Sequence, residues 1–121
     1  MSEVTKIVER YLEIWNEPDA QARTQQIRDL CQESIVFTDP MADVSGHEAF
    51  NALIGAVQQQ FPGMVFTLAG AVDAHHDLAR FTWGLAPAGA DEPLAIGFDV
   101  IKVGSDGRLA TIYGFLDKLP G

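Results

Sequence analysis

Asp99 sits in the middle of an apolar run, Ile96-Gly97-Phe98-Asp99-Val100-Ile101. Strand alternation puts it on one face with Gly97 and Ile101. An ionised carboxylate among apolar neighbours is unfavourable, so such a group is paired, takes up a proton, or does chemistry. A mid-strand Asp also runs against β propensity. Asp39 closes the run Ile35-Val36-Phe37-Thr38-Asp39 before Pro40 and shares a face with Phe37. It has two readings: its side chain caps the following loop, or it is a base at a strand end. Tyr11 and Trp15 stand one helical turn apart and meet on one stripe. Trp15 reads as a core aromatic. Tyr11 brings a hydroxyl that needs a partner, or donates to a ligand oxygen. Buried acids beside a hydroxyl donor are suited to proton transfer.

Other reactive side chains read as structural. His75-His76-Asp77 lacks metal-ligand spacing, since neighbours on a strand point apart and in a turn splay, so it reads as a solvated turn. The one cysteine, Cys31, lies among Ile27, Leu30 and Ile35 and reads as a small core residue. It leaves no intramolecular disulfide and no Cys-based zinc site. His47 falls in the first turn of a helix, exposed or at a pocket mouth. No serine elbow, phosphate loop or dinucleotide fingerprint occurs. Neither a metal nor a cofactor is called for.

Three helices and a run of strands must position these residues. Val4, Ile7, Val8, Tyr11, Leu12 and Trp15 recur at helical spacing, up to Asn16-Glu17-Pro18. Asp19 caps a second helix running to about Cys31, with Ala20, Ile27 and Leu30 inward and Arg23 to Gln26 as a solvated face. A strand over 35–39 and a loop over 41–44 follow. Ser45-Gly46-His47-Glu48 has capping-box spacing, opening a third helix with Phe50, Leu53, Ile54, Val57 and Phe61 buried. Strands are expected over 64–69, 79–85, 94–103 and 109–116, with turns at 73–77, 87–93 and 104–107. Phe81, Trp83 and Leu85 should face inward, and Arg80 and Thr82 outward. This order predicts an α+β domain spanning 1–121, with helices on one face of a mostly antiparallel sheet. The run around Phe98 and Val100 is apolar on its other face too, which predicts a homodimer through that face.

The chain has 121 residues, 47% hydrophobic and 21% charged, with a formal net charge of −9. That suits one globular domain with its own core. Nucleic acid and anionic membranes attract basic surfaces, so neither is an expected partner. An apolar small molecule fits better. The start, Met1-Ser2-Glu3-Val4-Thr5-Lys6, lacks the pattern of a signal peptide, and no stretch reaches transmembrane length, so a cytoplasmic location is expected.

The run Tyr11…Trp15-Asn16, then Ile35 to Pro40, Gly46-His47-Glu48, Arg80-Phe81-Thr82-Trp83, Phe98-Asp99-Val100 and Asp106-Gly107-Arg108, resembles the nuclear transport factor 2-like and SnoaL-like superfamily. The resemblance covers nearly the whole chain. It implies a cystatin-like cone of curved sheet over three N-terminal helices, usually dimeric, and it spans isomerases, cyclases, dehydratases, hydrolases and plain binding modules. The polar pattern is similar to that of ketosteroid isomerase, which implies roles for three residues. Asp39, before Pro40, would be the base. Tyr11 and a neutral Asp99 would donate to the enolate oxygen. SnoaL-like polyketide cyclases instead imply Asp99 itself as the acid/base. Limonene-epoxide hydrolase carries an Arg-x-Asp strand, and Gly97 stands here in place of the Arg.

The resulting expectation is an isomerase or cyclase moving a proton on an apolar ketone or polyketide-like ring. Trp15, Phe37, Phe61, Phe81, Trp83, Leu85, Ile101 and Leu116 would wall its substrate. The alternative is a non-catalytic module of the same fold, holding an apolar ligand or a partner chain.

Overall fold

A computed structural model describes residues 3–119. Met1 and Ser2, which entered the reading of the N-terminus, lie outside the described residues. Helix α1 (Glu3–Asn16) buries the expected stripe and Ile14 as well. The Asn16 side chain ends it with two bonds to the Phe66 backbone, Nδ2 donating to O and Oδ1 accepting from N, both at 2.8 Å. That clamp pins the helix to strand β3 (Met64–Leu68) and hangs Tyr11 and Trp15 over the sheet.

Helix α2 (Ala20–Leu30) is capped by Asp19 as expected, its side chain accepting from Gln21 N. Its inward face differs from the expectation. Ala20 is exposed, whereas Arg23, read as solvated, is 4% exposed. The Arg23 guanidinium donates to Asn51 Oδ1, Gln58 Oε1 and the Glu17 carbonyl, at 2.5, 3.0 and 2.7 Å. It ties the α1–α2 joint to helix α3 (His47–Gln60), and these polar partners offset its burial.

Strand β1 (Cys31–Thr38) starts four residues earlier than the alternation suggested, because α2 passes straight into extended backbone at Cys31. The expected loop at 41–44 contains a short strand, β2 (Asp43–Ser45), antiparallel to β1. This overturns the capping box. Ser45 is held in the ladder opposite Val36, so the N-cap of α3 moves one residue on, to Gly46, with φ 90 and no side-chain cap. Only glycine adopts that φ without strain. The expected turn at 73–77 is likewise partly strand: β4 (Asp73–His75) pairs with β5 (Leu78–Pro87), and the turn narrows to His76-Asp77.

β6 (Ala95–Val103) and β7 (Leu109–Lys118) complete a seven-stranded sheet in the order β2-β1-β7-β6-β5-β3, with β4 on β5. Among the described strands only β1 and β7 run parallel. Shifts of register at Ile96/Gly97 and Lys102/Val103 have the character of bulges, which bend strands. The three helices cover one face. On the other, Arg80 pairs with Asp73, and Tyr113 and Phe115 are 51% and 56% exposed beside half-buried Phe98 and Val100. Among the described residues no helix is long and apolar enough to cross a membrane.

Candidate functional site

Between the helices and the concave face lies a cavity of about 480 Å³, within the range of small-ligand sites. α1 contributes Tyr11, Leu12 and Trp15, α3 contributes Leu53, Ala56, Val57 and Gln60, and the sheet contributes Phe37, Phe66, Trp83, Leu85, Asp99 and Leu116. Asp39, Phe61 and Ala95 also line it, as do Met41 and Leu119. No Lys, Arg or His stands among these lining residues.

Asp99 is 4% exposed, in the middle of β6. Its Oδ2 accepts from the Tyr11 hydroxyl at 3.0 Å and its Oδ1 from Trp83 Nε1 at 3.2 Å. Burial pushes its carboxyl up to about 6; the Trp83 and Tyr11 hydrogen bonds pull the other way, and the charge of Asp39 adds to the rise. Both groups that hold it donate, so these contacts favour the ionised form. Tyr11 is pushed well above the usual range for a phenol, by burial first and then by the neighbouring Asp99 charge. Its proton stays on and points at Asp99.

Gly114, opposite Asp99 on β7, leaves room for the Asp99 carboxylate and the Asp39 side chain to approach each other. A Cβ there would come within 3.0 Å of Asp99 Oδ1 and 3.1 Å of the Asp39 Cβ. Asp39 itself is half-buried at the end of β1. Its Oδ1 accepts from Met41 N and Ala42 N, both at 2.8 Å, in the manner of an Asx turn. It thus caps the loop and faces the cavity at once.

The remaining expected wall residues divide. Trp15, Phe37, Phe61, Trp83, Leu85 and Leu116 line the cavity, but Phe81 and Ile101 do not. Phe81 lies under the Tyr11 ring, edge-on with centroids 6.0 Å apart. Ile101 pairs with Ala79 and Ile112 in the fully buried core. Alternation assigned both to the correct face, while their position along the strands puts them behind the helices. Leu12, Phe66 and the α3 row Leu53, Ala56, Val57 and Gln60 are additional. The α3 stripe carried their signal, since it splits into deep Phe50 and Ile54 and half-buried Leu53 and Val57. The Trp15 indole N–H is buried without a hydrogen-bond partner among the described residues.

Cys31 is buried, and that burial pushes its thiol up to about 12, so it is inert. His47 faces a separate cleft near Arg23, with Nε2 3.0 Å from the Cys31 carbonyl, rather than the mouth of the cavity. Among the described residues no cluster of three or more His, Cys, Asp or Glu could hold a metal ion.

A search of curated proteins finds no match. Among solved structures, a SnoaL-like family protein of Agrobacterium tumefaciens, provisionally assigned as an isomerase, is 35% identical. The match covers 97% of this chain and 99% of that one, with a TM-score of 0.90. A SnoaL-like protein of unknown function from Burkholderia thailandensis is 16% identical over 94% of each chain, with a TM-score of 0.72. An M. tuberculosis epoxide hydrolase of the LEH-like type is 16% identical, covering 95% of this chain and 83% of that one, with a TM-score of 0.64. The last two share the fold alone. The expected cone, three helices on a curved and mostly antiparallel sheet, is the architecture found. The family model of the SnoaL-like domain matches residues 8–112, and the chain belongs to that family.

Proposed function

We propose that the protein is a cofactor-independent isomerase or cyclase that moves a proton on a neutral, largely apolar ketone or polyketide-like ring. One observation carries the reading: a buried carboxylate, raised toward neutrality and held by two donors, stands in a mostly apolar cavity with a second carboxylate, Asp39, on its wall. A base is most effective when its pKa lies near the working pH, and burial has brought Asp99 there. Both of its partners donate, so Asp99 rests as the acceptor. That favours Asp99 as the base over the neutral-donor role carried over from ketosteroid isomerase. Asp39, whose Oδ1 is engaged by the loop, contributes charge next to it.

In this reading Asp99 takes a proton from the carbon beside the carbonyl. The new carboxylic acid then donates to the Tyr11 oxygen. The Tyr11 hydroxyl, free to rotate, turns its own proton to the enolate oxygen. Asp99 returns the proton at a second carbon, or the enolate carbon attacks a second carbonyl of the same substrate, whose π bond opens to an alkoxide that takes the proton from Asp99. Phe37, Phe61, Leu85 and Leu116 keep the site dry. Absence of any cation from the wall argues against carboxylate or phosphate substrates. The Trp83 indole fills the place above Gly97 where an epoxide hydrolase of the Arg-x-Asp type would need its arginine.

Incubation of neutral cyclic ketones and polyketide-like precursors in D₂O checks this by mass spectrometry. Wild type should incorporate deuterium, with loss of about 10³-fold in rate in Asp99→Asn. Tight binding of such compounds with no exchange in wild type would move the protein to the binding-module reading, which the loop-capping role of Asp39 favours. The same proposal joins two copies through the outer sheet face around Phe98, Val100, Tyr113 and Phe115. Light scattering should give twice the chain mass, and Val100→Glu should halve it.

A further inference from the structure

The indole of Trp83 lies in a seat that only glycine leaves open. Trp83 and Gly97 are directly paired across β5 and β6. A Cβ at Gly97 would fall 1.9 Å from Trp83 Cζ2 and 2.2 Å from Cε2. No side chain shares that space, so the ring lies over the β6 backbone. Phe66 holds it edge-on, with centroids 5.2 Å apart at 67°. From this seat Nε1 reaches two residues along β6 to Asp99 Oδ1, while Tyr11 takes Oδ2. Each carboxyl oxygen is thus engaged by a different structural element.

From these contacts we propose that Gly97 and Trp83 act as a positioning pair: Gly97 forms the seat, and the Trp83 N–H fixes the orientation of the Asp99 carboxyl toward the cavity. The inference rests on the reading of Asp99 as the proton-transferring group, and it gives Trp83 a role beyond pocket wall. An indole N–H only donates, so it favours the carboxylate over the acid. The titratable groups facing Asp99 are Tyr11 from α1 and Asp39 from the end of β1, and α3 sends only uncharged side chains to the cavity. With no cation among the described lining residues, these two hydrogen bonds oppose the effect of burial.

The test is a carboxyl ¹³C NMR titration of the full chain, with Asp99→Asn identifying the resonance. Trp83→Phe keeps a ring and removes the donor, so the Asp99 midpoint should rise by about one pH unit. Gly97→Ala expels the indole and should shift it in the same direction. Where substrate turnover is found, the acidic limb of the kcat profile should move with the midpoint, with kcat falling more than KM changes. If Gly97→Ala does not fold, Trp83→Phe decides alone. An unshifted midpoint in a folded Trp83→Phe variant overturns the positioning pair, even in an active enzyme. A shifted midpoint in a protein that exchanges no substrate proton supports the pair and removes the enzyme reading instead.

Discussion

Asp99 and Arg23 are equally buried, each 4% exposed, and both carry charge in ordinary surroundings. Arg23 sits in a polar knot, where a carbonyl and two side-chain amides accept from it. Burial pulls its guanidinium below the usual value, with Glu17 and Asp19 opposing that change. Asp99 has two donors and faces a mostly apolar cavity that Asp39 and Gln60 also line. Burial by itself therefore does not mark a working residue. What distinguishes the two is whether the partners complete the group, as at Arg23, or leave it facing a space that a ligand can enter.

The comparison breaks most sharply at Arg23. Arg23→Ala should lower the unfolding free energy by about 3–4 kcal/mol, because Asn51 and Gln58 lose their donor inside the fold. Arg23→Lys should recover only part, since a lysine cannot serve three acceptors in the same fork geometry. Urea melts read both. A change below about 1 kcal/mol in Arg23→Ala would mean that the knot is not structural.

For Asp99 the expected signature lies in pH. Its folded value of about 6 is raised above the ordinary Asp value of 3.8. A raised carboxyl contributes stability that is fully present below the unfolded pKa and is lost as pH rises through the folded one. Wild type should thus lose roughly 2–3 kcal/mol relative to Asp99→Asn between about pH 4 and pH 7. Parallel melts of the two proteins across that range measure it. A constant difference between them would make Asp99 an ionised, fully paired residue like Arg23.

Ligand charge sharpens the contrast further. A neutral aromatic ketone should bind at least about tenfold more tightly than its carboxylate analogue, a difference of about 1.4 kcal/mol. Quenching of Trp15 and Trp83 fluorescence reports both. Equal affinities would place a cation at the cavity that the described wall does not contain.

Asp39→Asn should have the smallest effect. The amide oxygen can keep both loop N–H bonds, so stability should change by no more than about 0.5 kcal/mol. Removing the charge should lower the Asp99 midpoint slightly. A loss of turnover matching that of Asp99→Asn would return the role of base to Asp39.

Much of this architecture was legible along the chain. The stripes of α1 and α3, the Asp19 cap and the alternation of β5 and β6 follow from local spacing, and so does the oddity of a carboxylate between Gly97 and Ile101. Local spacing also put Tyr11 and Trp15 on one face. It misread Arg23 because a polar run on a helix looks the same whether water or Asn51 and Gln58 receives it. It misplaced the start of α3 because the pairing of Ser45 with Val36 is a contact between strands. Period two tells which side of a sheet a residue faces, but not how far along the strand the helices cover it, so Phe81 and Ile101 were assigned to the cavity and belong to the core. The sequence determined that Asp99 would sit among apolar neighbours, on one sheet face with Gly97 and Ile101. Only the tertiary structure decided that its partners are the Tyr11 hydroxyl, 88 residues away, and the Trp83 indole, because those bonds depend on how α1 crosses the sheet and on the empty space above Gly97.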